Sequence, residues 1–276
     1  MKEMTSRVAI SRVSAAGATV DDDEVAIEEP LEIRVNERPL SVTMRTPGDD
    51  FALAAGFLRT EGVIARGADI ESIRHWGSPN VVRVALRVPV DWQRLQRHFY
   101  ATSSCGVCGK TSIDAVRIAS AVVSSTMRVS STVIHALPDA LRAKQEAFAS
   151  TGAIHAAGIF TADGELLRVA EDVGRHNAVD KAIGAFVVDD RPLGDVVLVI
   201  SGRGGFEIVQ KAAVAGIAMI VAVGAPSSLA VELAREMGVT LIGFARDARF
   251  NVYANEERVC VSASSEARSR TLPATR

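Results

Sequence analysis

Cysteine is scarce, with three in 276 residues. An odd count in a chain of this size argues against a structural disulfide framework and for a reducing compartment. Charge of one sign is also lacking. Lys and Arg number 31 against 33 Asp and Glu, the net charge is −2 and the pI is about 6.2. No basic field is available to hold nucleic acid as a main partner. Long hydrophobic runs are absent as well. The longest weakly polar stretch, 212–226, is too short and too interrupted by glycine to span a bilayer. The first residues, Met1-Lys2-Glu3-Met4-Thr5-Ser6-Arg7, lack the apolar core of a secretion signal, so the expected location is the cytoplasm, with no membrane partner. Neither internal repeats nor low-complexity tracts occur. With 48% hydrophobic and 23% charged residues, the balance is that of an ordinary globular chain with ample capacity for a core.

Two of the three cysteines stand together in Ser103-Ser104-Cys105-Gly106-Val107-Cys108-Gly109-Lys110. The run has too few apolar side chains to be a buried element, so it reads as a mobile, accessible loop. Two thiols at this spacing bind a metal, form a disulfide, or pass sulfur between them. Thr111-Ser112-Ile113-Asp114 then reads as a helix start with a capping-box pattern. Lys110 and the helix N-terminus favour thiolate over thiol. Cys260, far along the chain, reads as a small apolar strand residue.

Residues 1–24 read as a disordered, acid-ended leader and 262–276 as a disordered tail. Between them the expected fold class is α/β, in two parts. Residues 25–128 read as a smaller α+β domain ending in the cysteine loop and its helix. Within it Leu31, Ile33 and Val35 alternate as in a strand, a helix opens after Pro47-Gly48-Asp49-Asp50, and 70–76 and 81–88 form a hairpin across Ser78-Pro79-Asn80. Residues 129–261 read as a C-terminal α/β domain. Its elements are a helix over 137–150, a hairpin over 154–160 and 165–170, a helix over 174–187, and then a βαβαβ run. That run has strands at 196–200, 217–223 and 240–244 with helices at 206–216 and 227–238. The unbroken Val196-Val197-Leu198-Val199-Ile200 is typical of a strand covered on both faces.

Right-handed crossovers bring the C-terminal ends of such parallel strands to one edge, where open α/β sheets bind ligands. Three loops meet there: 201–205 with Ser201, Gly202 and Arg203; 224–228 with Ala225, Ser227 and Ser228; and 245–249 with Arg246 and Arg249. Glycine N–H groups, hydroxyls, a helix start and three arginines are parts that hold phosphate. Taken singly, each loop reads better as a tight turn with solvated side chains; the three on one edge together favour an anionic, nucleotide-like ligand. The run from Glu171 to Lys181, with Arg175, His176 and Asn177 on the first helical turn and Asp180 and Lys181 one turn later, is the densest polar cluster, and His176 is a candidate proton carrier or ligand contact. A capping role for His176 is the competing reading, and His155, in an apolar strand, reads as a satisfied core histidine.

Other motifs fall away. Cys105-x-x-Cys108 is half a zinc site without a second pair, and the deaminase signature of His-x-Glu before Pro-Cys-x-x-Cys is missing, so no zinc is expected. Gly109-Lys110-Thr111 ends like a P-loop, but the first glycine would fall at Ser104 and no apolar strand precedes it. Gly202-Arg203-Gly204-Gly205 is not a full dinucleotide fingerprint. A thioredoxin-like redox pair stays open.

The segments Arg45-Thr46-Pro47-Gly48-Asp49-Asp50, Gly56-Phe57-Leu58, the cysteine run, Glu171 to Asn177, Ser201-Gly202-Arg203, Ala225-Pro226-Ser227-Ser228-Leu229-Ala230 and Arg249-Phe250-Asn251-Val252-Tyr253 together resemble the FdhD family of formate dehydrogenase accessory sulfurtransferases. The match spans about residues 25 to 255. Gly204-Gly205-Phe206 departs from the family's small-polar-aromatic run. The resemblance implies a sulfur carrier that accepts persulfide sulfur from a cysteine desulfurase. It would pass that sulfur to the molybdenum cofactor, a bis-molybdopterin guanine dinucleotide, before the cofactor enters formate dehydrogenase. It also implies a homodimer and a three-layer C-terminal domain resembling the cytidine deaminase fold.

On that basis Cys105 is the expected persulfide carrier and Cys108 its partner. The cofactor would be held by Phe244, Ala245, Arg246, Asp247, Ala248 and Arg249, by Ser201, Gly202 and Arg203, by Ala225, Ser227 and Ser228, and by Arg175, His176 and Asn177. The alternatives are a dithiol–disulfide oxidoreductase and a non-catalytic chaperone that delivers the cofactor.

Overall fold

A computed structural model describes residues 4–92 and 120–261. The expected cysteine loop and the helix after it lie outside the described residues. The alternation at Leu31, Ile33 and Val35 is realised in β3 (Glu29–Val35). It is the second strand of a four-stranded sheet of order β4-β3-β6-β5, with β4 (Arg38–Arg45), β5 (Ile70–Trp76) and β6 (Ser78–Leu86). One face of this sheet buries Leu31, Ile33, Val35, Val82, Val84 and Leu86 with Leu53 and Leu58 of α1 (Asp50–Thr60). The β5–β6 hairpin turns at Gly77, whose φ of +70° admits a tighter reversal than the expected one across 78–80.

The second sheet has six strands in the order β13-β12-β11-β10-β8-β9. Its centre is parallel: β10 (Val197–Ile200), β11 (Met219–Ala222) and β12 (Thr240–Arg246). Antiparallel strands flank them: β8 (His155–Phe160) on β10, β9 (Leu166–Asp172) on β8, and β13 (Arg249–Ala254) on β12. Every residue of β10 and β11 is buried, as continuous apolar strands require when both faces are covered. The crossover helices α5 (Phe206–Ala215) and α6 (Ser228–Glu236) lie on one face, continued by α4 (Arg175–Val188) over β8 and β9. Helix α2 (Ser131–Arg142) crosses strands β8 to β12 on the other. The expected single helix over 137–150 is two, because α2 ends at Arg142 and a short α3 (Glu146–Thr151) follows. Its true start is Ser130, whose hydroxyl caps the Val133 N–H, and the chain then runs helically through Pro138. A short parallel pair, β7 (Val129–Ser130) with β14 (Val259–Cys260), closes the C-terminal end. Cys260 is a strand residue as expected, but an exposed one.

The segment expected to be a disordered leader instead forms a hairpin, β1 (Thr5–Ser14) with β2 (Gly17–Ala26), in unbroken register. Strand geometry sends Asp21 and Asp23 to one face and Asp22 and Glu24 to the other, which divides the repulsion that composition suggested. Arg12 pairs with Asp21 at 3.1 Å, and the Thr5 hydroxyl bonds Glu24.

The two halves share one core. Helices α1 and α4 cross with backbones in contact: a Cβ built on Gly56 would lie 1.9 Å from the Asp180 carbonyl oxygen, and one on Gly184 1.7 Å from that of Ala52. Buried charges bridge the same joint. Lys181 Nζ lies 2.8 Å from Asp172 Oδ2 and donates to the Thr46 carbonyl at 2.8 Å. Lys211 on α5 meets Asp180 on α4 and Thr60 on α1. Arg45, wholly buried, is held by Asp50, Glu29 and Asn80. Asp50, the first residue of α1, thus spends its carboxylate on Arg45.

Candidate functional site

The C-terminal ends of β10, β11 and β12 carry the three expected loops, and backbone hydrogen bonds join them. Ser201 N–H donates to the Ala156 carbonyl (3.0 Å), Val223 N–H to Ile200 (3.1 Å), Gly224 N–H to Gly202 (3.0 Å), and Phe244 N–H to Gly224 (3.0 Å). The Ser201 hydroxyl accepts the Ala156 N–H at 2.9 Å, tying the first loop to β8. Glycine is needed at 224, because a Cβ there would meet the Gly202 oxygen at 3.0 Å and the Arg203 Cα and Cγ at 3.1 Å. Gly243 is equally confined, by Pro226 Cδ at 2.8 Å and Tyr253 Cε2 at 3.1 Å. The edge is therefore a fixed ledge of backbone rather than three independent loops.

Side chains divide into those committed to the fold and those available. Ser227 caps α6 by accepting the Ala230 N–H at 3.3 Å, while Ser228 is exposed and Ala225 is half-buried. Asn177 is structural: its amide donates to the Met44 carbonyl (2.7 Å) and Asp172 Oδ1 (3.0 Å), and its oxygen accepts the Thr43 hydroxyl (3.2 Å). His176 Nε2 pairs with Glu207 Oε2 at 2.8 Å and so ties the first turn of α4 to that of α5. Arg203 is exposed and Arg175 partly buried; neither has an ion-pair partner among the described residues.

The third loop differs from expectation. Residues 245–249 are mostly not a loop but the end of a β-hairpin, in which Arg246 and Arg249 pair across a two-residue turn. Asp247 and Ala248 both have φ near +55°, the signature of a type I′ reversal. Ala245 is buried, so only its backbone can face a ligand. Arg246 lies 3.9 Å from Asp247 and, like Arg249, is exposed. Phe244 holds φ at +52°, a strained value for a bulky residue, exactly where its N–H joins Gly224.

One residue at this edge escaped sequence reasoning. His155 opens β8, which runs antiparallel to β10, so its first residue lies at the C-terminal edge of its neighbour. A Cβ on Gly202 would sit 3.6 Å from His155 Nδ1. Burial, then the charges of Arg175 and His176, lower the His155 pKa, with Asp172 opposing them. The ring is therefore neutral at pH 7 and offers one donor and one acceptor. The signal in the sequence was topological: a histidine at the start of a strand that pairs backwards onto the first parallel strand.

Cys105 and Cys108 lie outside the described residues. No group of three or more His, Cys, Asp and Glu with metal-site geometry occurs among those that are described. No helix among them is long and apolar enough to cross a membrane.

The model of the FdhD/NarQ family matches residues 26–260. The chain belongs to the FdhD/NarQ family. Relatives named sulfur carrier protein FdhD agree over nearly the full length. That of Streptomyces coelicolor is 48% identical, with 96% of this chain and 99% of the relative covered. That of Sulfolobus acidocaldarius is 44% identical, with 92% and 98% covered. A crystal structure described as a formate dehydrogenase accessory protein, from Desulfotalea psychrophila, superposes with a TM-score of 0.75 at 25% identity, over 94% of this chain and all of that one. This FdhD/NarQ chain thus shares its mixed α/β architecture with a solved member, and its relatives are named for carrying sulfur.

Proposed function

We propose that this chain is a sulfurtransferase that carries sulfur to a molybdenum cofactor destined for formate dehydrogenase, and that the C-terminal strand edge holds the cofactor's guanine nucleotide ends. The observation that carries this reading is the ledge itself, in a chain of a family whose members are named sulfur carriers. Two loops and a hairpin end, joined by backbone bonds, leave Arg175 and Arg203 without carboxylate partners among the described residues, beside a neutral imidazole. That set fits an anionic, hydrogen-bonding ligand such as a nucleotide diphosphate. A mixed sheet covered on both faces agrees with the deaminase-like layering that the resemblance implies.

In the transfer, the thiolate of Cys105 attacks the outer sulfur of a cysteine desulfurase persulfide. The donor's S–S bond breaks, the donor leaves as a thiolate, and Cys105 becomes Cys–S–SH. Cys108 then attacks the inner sulfur. The two cysteines are oxidised to a disulfide, and the outer sulfur leaves as sulfide to the cargo. A cellular dithiol resets the pair. The protein works in the cytoplasm as a homodimer, with bis-molybdopterin guanine dinucleotide as substrate rather than resident group.

Intact mass after incubation with a cysteine desulfurase and L-cysteine tests this reading, with Cys105→Ala and Cys108→Ala alongside. The expected result is a reducible gain of one sulfur atom that disappears in Cys105→Ala. Loss of two hydrogens without any sulfur gain would instead mark a dithiol–disulfide oxidoreductase. No change in any sample would leave a chaperone that only delivers the cofactor.

A further inference from the structure

We propose that Asp172 is the positioning residue of the strand edge: its two carboxylate oxygens bracket the first turn of α4 against the first half of the chain and so hold Arg175 in place for an anionic ligand. The assignment rests on the proposed reading of that edge as a guanine nucleotide site.

Asp172 does not touch a ligand itself. It is the last residue of β9 and wholly buried. Four donors meet on it, two at each oxygen. Oδ1 accepts the Gly174 N–H at 2.8 Å and the Asn177 amide at 3.0 Å. Oδ2 accepts the Thr46 N–H at 3.1 Å and lies 2.8 Å from Lys181 Nζ. One oxygen therefore serves the start of α4. The other serves Thr46, whose carbonyl Lys181 also holds at 2.8 Å. An ionised carboxylate has acceptor capacity for all four donors. An amide in its place has not, because its NH2 half would face donors on whichever side it took.

The helix start depends on this bracket. Gly174 is the N-cap of α4 and has no side chain to cap with. A Cβ there would meet the Asn177 amide nitrogen at 3.0 Å and Asp172 Oδ1 at 3.3 Å, so the bracket fills the space a capping side chain would need. Asn177 extends it to β4, donating to the Met44 carbonyl at 2.7 Å and accepting the Thr43 hydroxyl at 3.2 Å. On the other side, the Val173 N–H donates to the Thr46 hydroxyl at 3.2 Å. Residues before and after Arg175 and His176 are thus tied to the end of β4.

Of those two, Arg175 is the side chain left to serve a ligand. His176 pairs with Glu207 of α5 at 2.8 Å. Arg175 is half-buried and has no ion-pair partner among the described residues. Its charge reaches His155, which is the cross-strand neighbour of Asp172 and stands against Gly202 of the ledge. A guanidinium that meets an anion from a fixed backbone loses less freedom on binding than one on a frayed turn. Placement also matters steeply, since a shift of about 1 Å in a binding group costs up to about a hundredfold.

Calorimetry with guanosine diphosphate on the full chain decides the matter, at a temperature where every variant is folded. Asp172→Asn should weaken binding at least about tenfold, and in an Arg175→Leu background the same change should weaken it by less than about threefold, because its effect passes through Arg175. Lys181→Met strips a donor from Oδ2 and leaves both bonds at Oδ1, so it should lower the melting temperature while keeping affinity within about threefold of wild type. The Arg175 guanidinium resonance, assigned by its loss in Arg175→Leu, should shift on adding the nucleotide to wild type and Lys181→Met but not to Asp172→Asn. Unchanged affinity in Asp172→Asn, an equal loss in Lys181→Met, or additive losses with Arg175→Leu each overturns the proposal and leaves the nucleotide site standing. A wild type that does not bind the nucleotide removes the site and the proposal together. Should Asp172→Asn fail to fold, Asn177→Ala, which leaves the buried charges paired, takes its place in the same cycle.

Discussion

Replacing Lys211 by methionine should destabilise the protein by about 3–5 kcal/mol, the usual effect of removing one partner from a buried ion pair. Lys211 Nζ lies 3.0 and 2.9 Å from the two oxygens of Asp180, 2.9 Å from Thr60 Oγ1 and 3.4 Å from Glu61 Oε1. The Lys211 side chain is 8% exposed and that of Asp180 2%. Burial pushes the Asp180 carboxyl up. Burial alone would push the Lys211 ammonium down, but Asp180 and Glu61 outweigh it and hold it above the ordinary lysine value. Without the ammonium, Asp180 keeps the Thr60 hydroxyl at 2.7 Å but loses its cation. The double variant Lys211→Met/Asp180→Leu should recover most of the loss, since an apolar pair of similar volume replaces a buried ion pair at little net cost. At about 2–4 °C per kcal/mol the single variant melts about 6–20 °C early. Urea titration followed by two probes gives the decisive view. The two tryptophans, Trp76 and Trp92, report the first half, and far-ultraviolet dichroism reports the whole. Because the network joins Thr60 of the first half to Asp180 and Lys211 of the second, both transitions should move together. A loss below about 1 kcal/mol, or a fluorescence transition that stays while dichroism shifts, would refute the network as the bond between halves.

Three further outcomes concern the ledge. Gly224→Val should weaken binding of guanosine diphosphate at least about tenfold by calorimetry, because a branched side chain must force Gly202 and Arg203 aside; unchanged affinity would mean that the ledge does not form the ligand surface. Arg175→Leu should weaken the same binding while leaving the unliganded protein as stable or slightly more so, since Arg175 is partly buried without an ion-pair partner among the described residues; a large loss of stability with intact binding would assign Arg175 to the fold. His155 has its pKa lowered in the folded state by burial, then by Arg175 and His176. The unfolded chain therefore takes up that proton first, and the stability His155 contributes is complete above about pH 6.5 and lost as pH falls below it. His155→Gln should flatten the fall in unfolding free energy between about pH 6.5 and 5, and an identical slope in the variant would rule out the lowered pKa.

Periodicity carried the second half well, because its strands are apolar on both faces and separated by glycine or capped helices. Val196 to Ile200 needed no partner to be read as central. Where reading failed, a local signal was outweighed by pairing at a distance. A helix was expected from Leu137, yet α2 had already begun at Ser131, capped by Ser130. Asp21 to Glu24 looked like a solvated acidic run, yet register with β1 separates the charges. Ala245 to Arg249 looked like a ligand loop because β13, which turns it into a hairpin, has too mixed a pattern to announce itself. Asn177 looked like a ligand contact because nothing local shows that Thr43 and Met44, over a hundred residues earlier, face it. His155 was discounted for the converse reason, since its apolar neighbours describe the strand and not the strand's end.

What separates structure from function here is whether each cation has its anion. At the joint between the halves Lys181 has Asp172, Lys211 has Asp180 and Arg45 has Asp50, each within 3 Å. Such pairs fix how α1, α4 and α5 sit against one another and have little left for a ligand. At the strand edge, Glu207 pairs with His176, and Arg246 lies 3.9 Å from its own neighbour Asp247. Among the described residues Arg175 and Arg203 have no ion-pair partner, in a chain that has more acidic than basic residues. With carboxylates in excess, leaving two arginines unpaired on one rigid ledge is not a shortage of partners. It is the arrangement expected where the missing anion belongs to the ligand.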